Sequence, residues 1–381
     1  MAELARIRHL TTGKTKDVIL SDAGRSAHYL ASGEWQILSR SPLPPRRSIR
    51  QQGVREPLRK HDVIHFAHAH IRDQRAGAEA TADALLAHLA SNGLDVALWM
   101  IGDIADTYEH NGVTVYGASR MLRDLGKWAC VVTGQLAQAE NAISGANAAG
   151  IPSVFYADNE LDITKAMLRR HPPKLLVANT QWVADSMATL GLPTIVVRPP
   201  VNPADYATTP GDMVTVVNLF EPKGGAVLAQ LAKRMPDVSF LGVQGSYGEQ
   251  VHQDSPNVEV IPSASDMRQV YGRTRILLAP SRYESFGRVA LEACASGIPV
   301  IASMAPGFRE SLGTSATFVD VDDLDGWQAA ISRLLKPRSW AAASRKALAQ
   351  SERMDPAEDL ARWHSAITEL IGGSNGFRDR D

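Results

Sequence analysis

Pro280-Ser281-Arg282-Tyr283-Glu284-Ser285-Phe286-Gly287-Arg288-Val289-Ala290-Leu291-Glu292-Ala293, followed by Ser296-Gly297-Ile298-Pro299-Val300-Ile301-Ala302, is the most informative stretch of the chain. Its apolar and glycine pattern reads as a strand end, a loop carrying Glu284, and a helix opening at Ser285-Phe286-Gly287. Glu292 then falls two turns into that helix, Gly297 ends it, and a buried strand follows. A helix N-terminus presents unpaired N–H groups and a positive dipole, which suit a phosphate. Each neighbouring carboxylate accepts hydrogen bonds from two vicinal hydroxyls. Phosphate and hydroxyls on one strand–helix unit point to a sugar nucleotide.

Outward from that unit, short apolar runs alternate with amphipathic segments from His61 onward. This is the pattern of a parallel sheet with crossover helices. The runs begin with Val63-Ile64-His65-Phe66 and Val96-Ala97-Leu98-Trp99 and continue to Ile195-Val196-Val197. A proline-rich break, Arg198-Pro199-Pro200-Val201-Asn202-Pro203, precedes a second series from Val214-Thr215-Val216-Val217 to Thr317-Phe318-Val319. The expected organisation is a first Rossmann-like domain over 61–200 and a second over 201–354. Two such halves place a cleft between their strand C-terminal edges. The last helix, 355–371, starts with Asp355 as N-cap, Pro356 at N1 and Glu358 at N3, and is expected to pack back on the first domain. Residues 372–381, after Gly372-Gly373, read as a disordered tail. Residues 1–40 read as a small module in which Lys16 to Leu38 form strand–helix–strand, with Ser21-Asp22 capping a helix that ends at Gly33. Residues 41–60, rich in proline and arginine, read as a linker, with an anionic membrane surface or acidic partner as the sharper alternative.

Bulk composition narrows the function classes. A chain of 381 residues suits about two domains. A net charge of -1 argues against a general nucleic-acid binder. No window reaches the roughly 18 apolar residues of a membrane span, leaving at most peripheral membrane contact. The start, Met1-Ala2-Glu3-Leu4-Ala5-Arg6, lacks a leader pattern. Two cysteines, Cys130 and Cys294, lie in apolar patterns and make a disulfide framework unexpected. A cytoplasmic protein is the expectation.

Other motifs carry competing readings. Ala76-Gly77-Ala78-Glu79 opens the helix after the first strand, where Gly77 serves a tight turn or lets backbone approach a diphosphate. Glu221-Pro222-Lys223-Gly224-Gly225 places Lys223 in a loop opposite that turn, as an exposed lysine or a point charge for a phosphate. Asp320-Val321-Asp322-Asp323 mimics a metal motif but precedes a helix, Trp327 to Leu335, where carboxylates cap. His65, His68 and His70 alternate at strand spacing; with few acidic partners nearby they read as strand-end histidines near the acceptor. Asn179-Thr180-Gln181 reads as an N-cap. Asp158 is the sole carboxylate in Tyr156-Ala157-Asp158-Asn159, at the cleft edge. No metal and no cofactor are expected.

Together these pieces resemble the retaining, family 4 type glycosyltransferases of the GT-B fold over roughly residues 61–371. The most specific match is Leu278 to Glu310, with Val216-Val217-Asn218-Leu219, Lys223-Gly224-Gly225, Pro236 to Leu241 and Arg198 to Asn202 in support. The resemblance implies an α/β architecture of two doubly wound domains facing a cleft, and transfer of a sugar from a nucleotide-diphosphate sugar with retained configuration and without a metal. By it, Glu284 contacts sugar hydroxyls and Glu292 the ribose. Ser285, Phe286, Gly287, Arg288 and Val289 hold sugar and distal phosphate. Lys223, Gly77 and Asn218 surround the diphosphate, and the backbone around Ile261-Pro262-Ser263 meets the base. Two departures stand out: Asn218 replaces a common arginine, and Ala157 replaces a common histidine, leaving Asp158 or Tyr156 for the acceptor side. The first sixty residues faintly resemble short modules of tailed-phage proteins, which adds a virion component to the cell-envelope acceptors considered. A non-catalytic sugar-nucleotide-binding protein, or an epimerase of the same fold, is the alternative.

Overall fold

The computed structural model describes residues 3–9, 15–20, 35–42, 56–101, 106–118, 121–136, 139–246 and 248–375. They fall in two compact units, Met1–Gln52 and Gly53–Asp381. The first holds three antiparallel strands, β1 (Glu3–His9), β2 (Thr15–Leu20) and β3 (Trp35–Pro42), in the order β2-β1-β3. Glu3 pairs with Leu20 on one side and Pro42 on the other, with a register shift between Arg6 and Ile7. The strand–helix–strand expectation therefore lacked a strand, because Glu-Leu-Ala-Arg-Ile-Arg-His carries only a weak apolar alternation. The helix expected from Ser21 to Gly33 and residues 43–55 of the expected linker lie outside the described residues. Ser41 and Pro42 belong to β3 rather than to a linker.

In the second unit an eight-stranded sheet comprises β4 (His61–Ala67), β5 (Val96–Ile101), β6 (Thr107–His110), β7 (Val113–Ala118), β8 (Ala129–Gln135), β9 (Ser153–Ala157), β10 (Leu175–Ala178) and β11 (Thr194–Val196). Its order is β11-β10-β9-β8-β4-β5-β7-β6. Only the edge strand β6, whose Thr-Tyr-Glu-His sequence hides it from an apolar search, runs antiparallel to its neighbour. A second, parallel sheet holds β12 (Met213–Val217), β13 (Phe240–Val243), β14 (Val258–Ile261), β15 (Thr274–Ala279), β16 (Val300–Ala302) and β17 (Thr317–Phe318), ordered β14-β13-β12-β15-β16-β17.

Both sheets wind outward from a central strand in two directions. The order reverses between β4 and β8 in one and between β12 and β15 in the other. Adjacent loops diverge at such points and leave a crevice at the strand C-termini. Gly77 follows β4, Lys223 follows β12 and Glu284 follows β15, so the candidate residues sit on the loops that border these reversals.

The last helix, Ala357–Asn375, starts where Asp355 Oδ1 accepts the Ala357 N–H at 2.8 Å. It continues through Gly372-Gly373 to Asn375, past the expected end, and 376–381 lie outside the described residues. Its Trp363 and Ile367 join Val63, Leu85, Leu98 and Val131 in the core of the first sheet. The Trp363 indole donates to Leu85 O at 3.2 Å. Among the described residues no helix is long and apolar enough to cross a membrane. Trp363→Ala removes a side chain that is 3% exposed and is expected to destabilise the protein by about 3–5 kcal/mol. Chemical denaturation is the check, with the exposed Leu348→Ala as a control that shifts the midpoint little.

Candidate functional site

A cavity of about 890 Å³ lies between the C-terminal edges of the two sheets. Gly77 lines it from the first sheet, and Asn218, Lys223, Glu284 and Glu292 from the second. Gly287, Arg288 and Val289 complete that wall. The structure thus brings together eight of the residues singled out above. Ser285, Phe286, Pro262 and Asp158 do not line the cavity.

The loop after β15 is shaped by Gly287, which caps the helix Arg288–Ala295 with φ 89°. A Cβ there would lie 2.3 Å from the Phe308 ring, so both the backbone and the packing demand glycine. The helix starts at Arg288, three residues later than the sequence suggests, because the left-handed Gly287 cannot continue a helix backward. Glu292 is consequently little more than one turn in, not two. Ser285 and Phe286 face inward. Phe286 is core, and its carbonyl accepts from Ser311 Oγ at 2.6 Å. Ser285 Oγ accepts from Asn179 Nδ2 at 2.9 Å, a buried hydrogen bond joining the two domains.

Lys223 Nζ stands 2.8 Å from Glu284 Oε2, both partly buried on the cavity wall. Glu292 is fastened on two sides: Tyr271 Oη donates to Oε2 at 2.8 Å, and Arg288 Nε is 3.3 Å from Oε1. Burial and the Glu292 charge push the Tyr271 phenol well above its usual range, so it stays a donor. Each Glu292 oxygen keeps further acceptor capacity, and Glu292 lines the cavity. Arg288 also donates to Pro200 O at 2.6 Å and to Tyr206 Oη at 3.0 Å. Its guanidinium is therefore a fixed part of the wall rather than a mobile cation.

Asn218 adopts φ 71°, and its Oδ1 accepts from the Phe220 N–H at 3.1 Å, turning the loop toward Lys223. At Gly77 a methyl group would meet only Arg288 Cδ, at 3.9 Å. The protein itself does not require glycine there, and the open side of that position belongs to the cavity. Pro262 is exposed outside it; the wall beyond β14 is built instead by Ser263, Ser265, Asp266, Met267 and Arg268, since the chain turns inward only past the proline.

On the other side of the cleft, Tyr156 is buried and donates its hydroxyl to Val197 O at 2.8 Å, which removes it from any acceptor role. Asp158 is partly exposed as a residue, yet its Oδ2 is sealed from solvent without a hydrogen-bond partner. Burial, with help from the nearby Glu79 charge, raises its pKa to about 7. Glu79 Oε2 is likewise buried and unpartnered, and burial raises its pKa too. Asn179 does not cap a helix: Thr180 Oγ1 does, accepting from the Val183 N–H at 3.3 Å, while Asn179 also donates to Asp158 O.

The three histidines separate. His65 is buried against Thr133 Oγ1 at 2.9 Å, and burial lowers its pKa to about 4. His68 Nε2 lies 3.7 Å from Glu79. His70 faces Asp83, Nε2 to Oδ1 3.6 Å, with His110 on the same oxygen. Asp323 caps the helix Leu324–Leu334, accepting the Gly326 N–H at 2.8 Å, and Asp322 pairs with Arg282. The helix begins three residues before the expected Trp327 because the cap is Asp323 itself.

Residues 224–337 match the family model described as Glycosyl transferases group 1. That segment is a group 1 glycosyl transferase domain. It contains Glu284, Glu292 and the whole of the helix between Gly287 and Ser296. Over 92 residues the chain is 37% identical to a D-inositol 3-phosphate glycosyltransferase of Mycobacterium marinum, covering 24% of this chain and 20% of that protein. It is 34% identical over 89 residues to an Escherichia coli O-antigen chain mannosyltransferase B, 23% of each chain. These matches span about a fifth to a quarter of the curated relatives' lengths. Among solved structures, the sucrose-phosphate synthase of Thermosynechococcus elongatus superposes with TM-score 0.69 at 14% identity, covering 82% of this chain and 100% of that one. Anabaena HepE, solved in complex with UDP-glucose, superposes with TM-score 0.65 at 17% identity over 82% of this chain and all of that one. The two facing doubly wound sheets are the GT-B fold.

The cavity also contains residues that the sequence did not single out, notably Arg72, Arg75 and Asp83 outside the matched segment and Gly245 within it. They lie on loops or polar helix faces, where no local pattern marks them. Asp158 sets a pH dependence: the folded protein holds its proton from about pH 4 to about 7 while the unfolded chain releases it. Stability contributed by the neutral carboxyl is therefore lost as pH rises toward 7. Asp158→Asn is expected to raise stability at pH 8 by about 1–3 kcal/mol and to change it little at pH 4. Denaturant titrations at the two pH values provide the check; equal shifts would contradict the buried setting of Oδ2.

Proposed function

We propose that the protein is a retaining glycosyltransferase that uses a nucleotide-diphosphate sugar and needs no metal for donor chemistry. One observation carries this reading: Lys223, Glu284 and Glu292 border a single cavity at the start of one helix. Together they offer a cation for phosphate and two carboxylates for hydroxyl groups. The family match of the segment that supplies Glu284 and Glu292 supports it, as do the solved complexes of HepE with UDP and UDP-glucose.

In the proposed complex the diphosphate lies over the N-terminus of the helix Arg288–Ala295 and beside Gly77, where a side chain would intrude. Lys223 is shared between Glu284 and the phosphates. Glu284 accepts from sugar hydroxyls, and Glu292 accepts from the ribose while Tyr271 and Arg288 fix its rotamer. The base rests against Ser263 to Met267. As the sugar–phosphate bond breaks, negative charge grows on the leaving phosphate and positive charge on the sugar ring. Lys223 and the helix N–H groups stabilise the first, and Glu284 the second. The leaving phosphate oxygen takes the acceptor's proton on the same face, which retains the configuration. The protein contributes position and charge, not a covalent nucleophile.

A donor screen with released nucleotide as readout identifies the sugar, since such sites hydrolyse their donor slowly without an acceptor. Glu284→Ala is expected to lower turnover about 100-fold or more while nucleotide-diphosphate affinity stays within about threefold. Wild-type turnover in that variant would remove Glu284 from the site. Gly77→Val is expected to weaken donor binding about tenfold with no loss of stability, read by calorimetry and thermal unfolding; unchanged donor affinity would place the diphosphate elsewhere. Binding of a donor with no hydrolysis or transfer would favour a sugar-nucleotide sensor.

A further inference from the structure

His70, Asp83 and His110 come from three separate elements of the first sheet's domain: the loop after β4, the helix Gly77–Ser91, and the end of β6. Their ligand atoms all lie within 4.8 Å of one another. His70 Nε2 and His110 Nε2 both point at one oxygen, Asp83 Oδ1, at 3.6 and 3.2 Å. The longer of these distances is beyond hydrogen-bond reach. At His110 a hydrogen bond to Asp83 competes with Asn111 Nδ2, which approaches the same Nε2 at 3.1 Å and can only donate. An Nε2 that accepts from Asn111 has no proton for Asp83. The imidazole lone pair and the carboxylate oxygen then repel unless a cation lies between them.

We propose that His70, Asp83 and His110 form a binding site for a divalent transition-metal ion, of which zinc is the representative. Two ligands about 2.0–2.1 Å from a tetrahedral centre are about 3.3 Å apart, close to both observed separations. Outer partners already orient the ligands. Tyr108 Oη lies 2.9 Å from His70 Nδ1 and accepts its proton when Nε2 carries the lone pair, although the Arg72 N–H also approaches Nδ1 at a long 3.4 Å. Asn111 Nδ2 donates to Asp83 Oδ2 at 3.2 Å, which leaves Oδ1 for the ion. Such outer contacts set tautomer and orientation at protein metal sites. His70 is 3% exposed, which shields the centre, while Asp83 and His110 line the cavity. The fourth position therefore opens to the cavity and takes water or an oxygen of a bound acceptor. Lys223 and the helix at Arg288 belong to the other domain, and none of the three ligands is a residue assigned above to the diphosphate.

The test is binding, independent of sugar transfer. Purified full-length protein is stripped with chelator, and Zn²⁺ is titrated calorimetrically, with Co²⁺ absorption reporting coordination number. The expected result is one equivalent bound with Kd of about 1 μM or tighter and a four-coordinate Co²⁺ spectrum. His110→Ala and Asp83→Asn each weaken binding at least tenfold, and Tyr108→Phe weakens it about three- to tenfold. The exposed pair His252 and Asp254 serves as a control, and His252→Ala leaves affinity unchanged. Absence of saturable binding overturns the proposal, as does equal affinity in His110→Ala. If either variant unfolds, His110→Gln, which keeps a donor to Asp83 but is a poor zinc ligand, decides: retained micromolar affinity overturns the site. Donor hydrolysis by the stripped protein reports on the transfer reading separately.

Discussion

The Arg288 guanidinium is the constraint on which the candidate site depends. Burial alone would disfavour its charge, but the Glu292 carboxylate and the Tyr206 hydroxyl hold it ionised. With donors to Pro200 O and Tyr206 Oη and a contact to Glu292, it ties the helix Arg288–Ala295 to the interdomain segment. A buried charge with partners on three sides cannot shift without leaving one of them unpaired. The start of that helix, the rotamer of Glu292 and the floor beneath Gly77 are thereby set by a single planar group. Lysine, a point charge on a flexible stem, could not hold these directions at once.

Further contacts fasten the cleft around that centre. Glu310 accepts the N–H groups of Gln181 and Trp182 at 2.8 and 3.1 Å, so a carboxylate of one domain caps a helix of the other. Tyr283 Oη donates to Glu160 at 2.6 Å, and Asn179 reaches Ser285. The C-terminal helix adds Asp359, buried at 2% exposure and held by Arg198 and Arg362. Segment Pro199–Asn202 is thus clamped from both sides. The cavity width is a property of these cross-domain polar contacts more than of either core.

Legibility in the sequence follows the range of the interactions involved. The central parallel strands were readable because they are buried on both faces and leave a continuous apolar run, as in Val-Val-Thr of β8 and Ile-Leu-Leu of β15. β1 and β6 left no such trace: both are strands of mixed polarity. The cavity wall of the second sheet was readable because Glu284, Gly287 and Glu292 lie within nine residues, so local geometry alone places them. The opposite wall was not. Tyr156 and Asp158 are two residues apart on one strand end, yet one is turned into the core by Val197 and the other ends in a sealed pocket beside Glu79. Nothing in Tyr-Ala-Asp-Asn distinguishes them, because the decisive neighbours are 41 residues downstream and on the helix Gly77–Ser91.

The same logic explains the histidines. The clustering of His65, His68 and His70 suggested one shared environment, but an offset of three puts His65 and His68 on opposite faces of a strand, and β4 ends at Ala67 before His70. His65 stays in the sheet and loses its charge to burial, whereas His70 leaves it and meets Asp83 and His110. Two buried carboxylate oxygens without partners, Glu79 Oε2 and Asp158 Oδ2, sit on this same side of the cleft, while Glu79 Oε1 accepts from Gln74 Nε2 at 2.9 Å. Unsatisfied buried polar atoms are rare in stable folds and concentrate where a ligand completes the pairing. The wall of the second sheet, by contrast, satisfies its charges internally, with Lys223 on Glu284 and Arg288 on Glu292. One wall closes its charges on itself; on the other, Glu79 Oε2 and Asp158 Oδ2 end without a polar partner among the described residues.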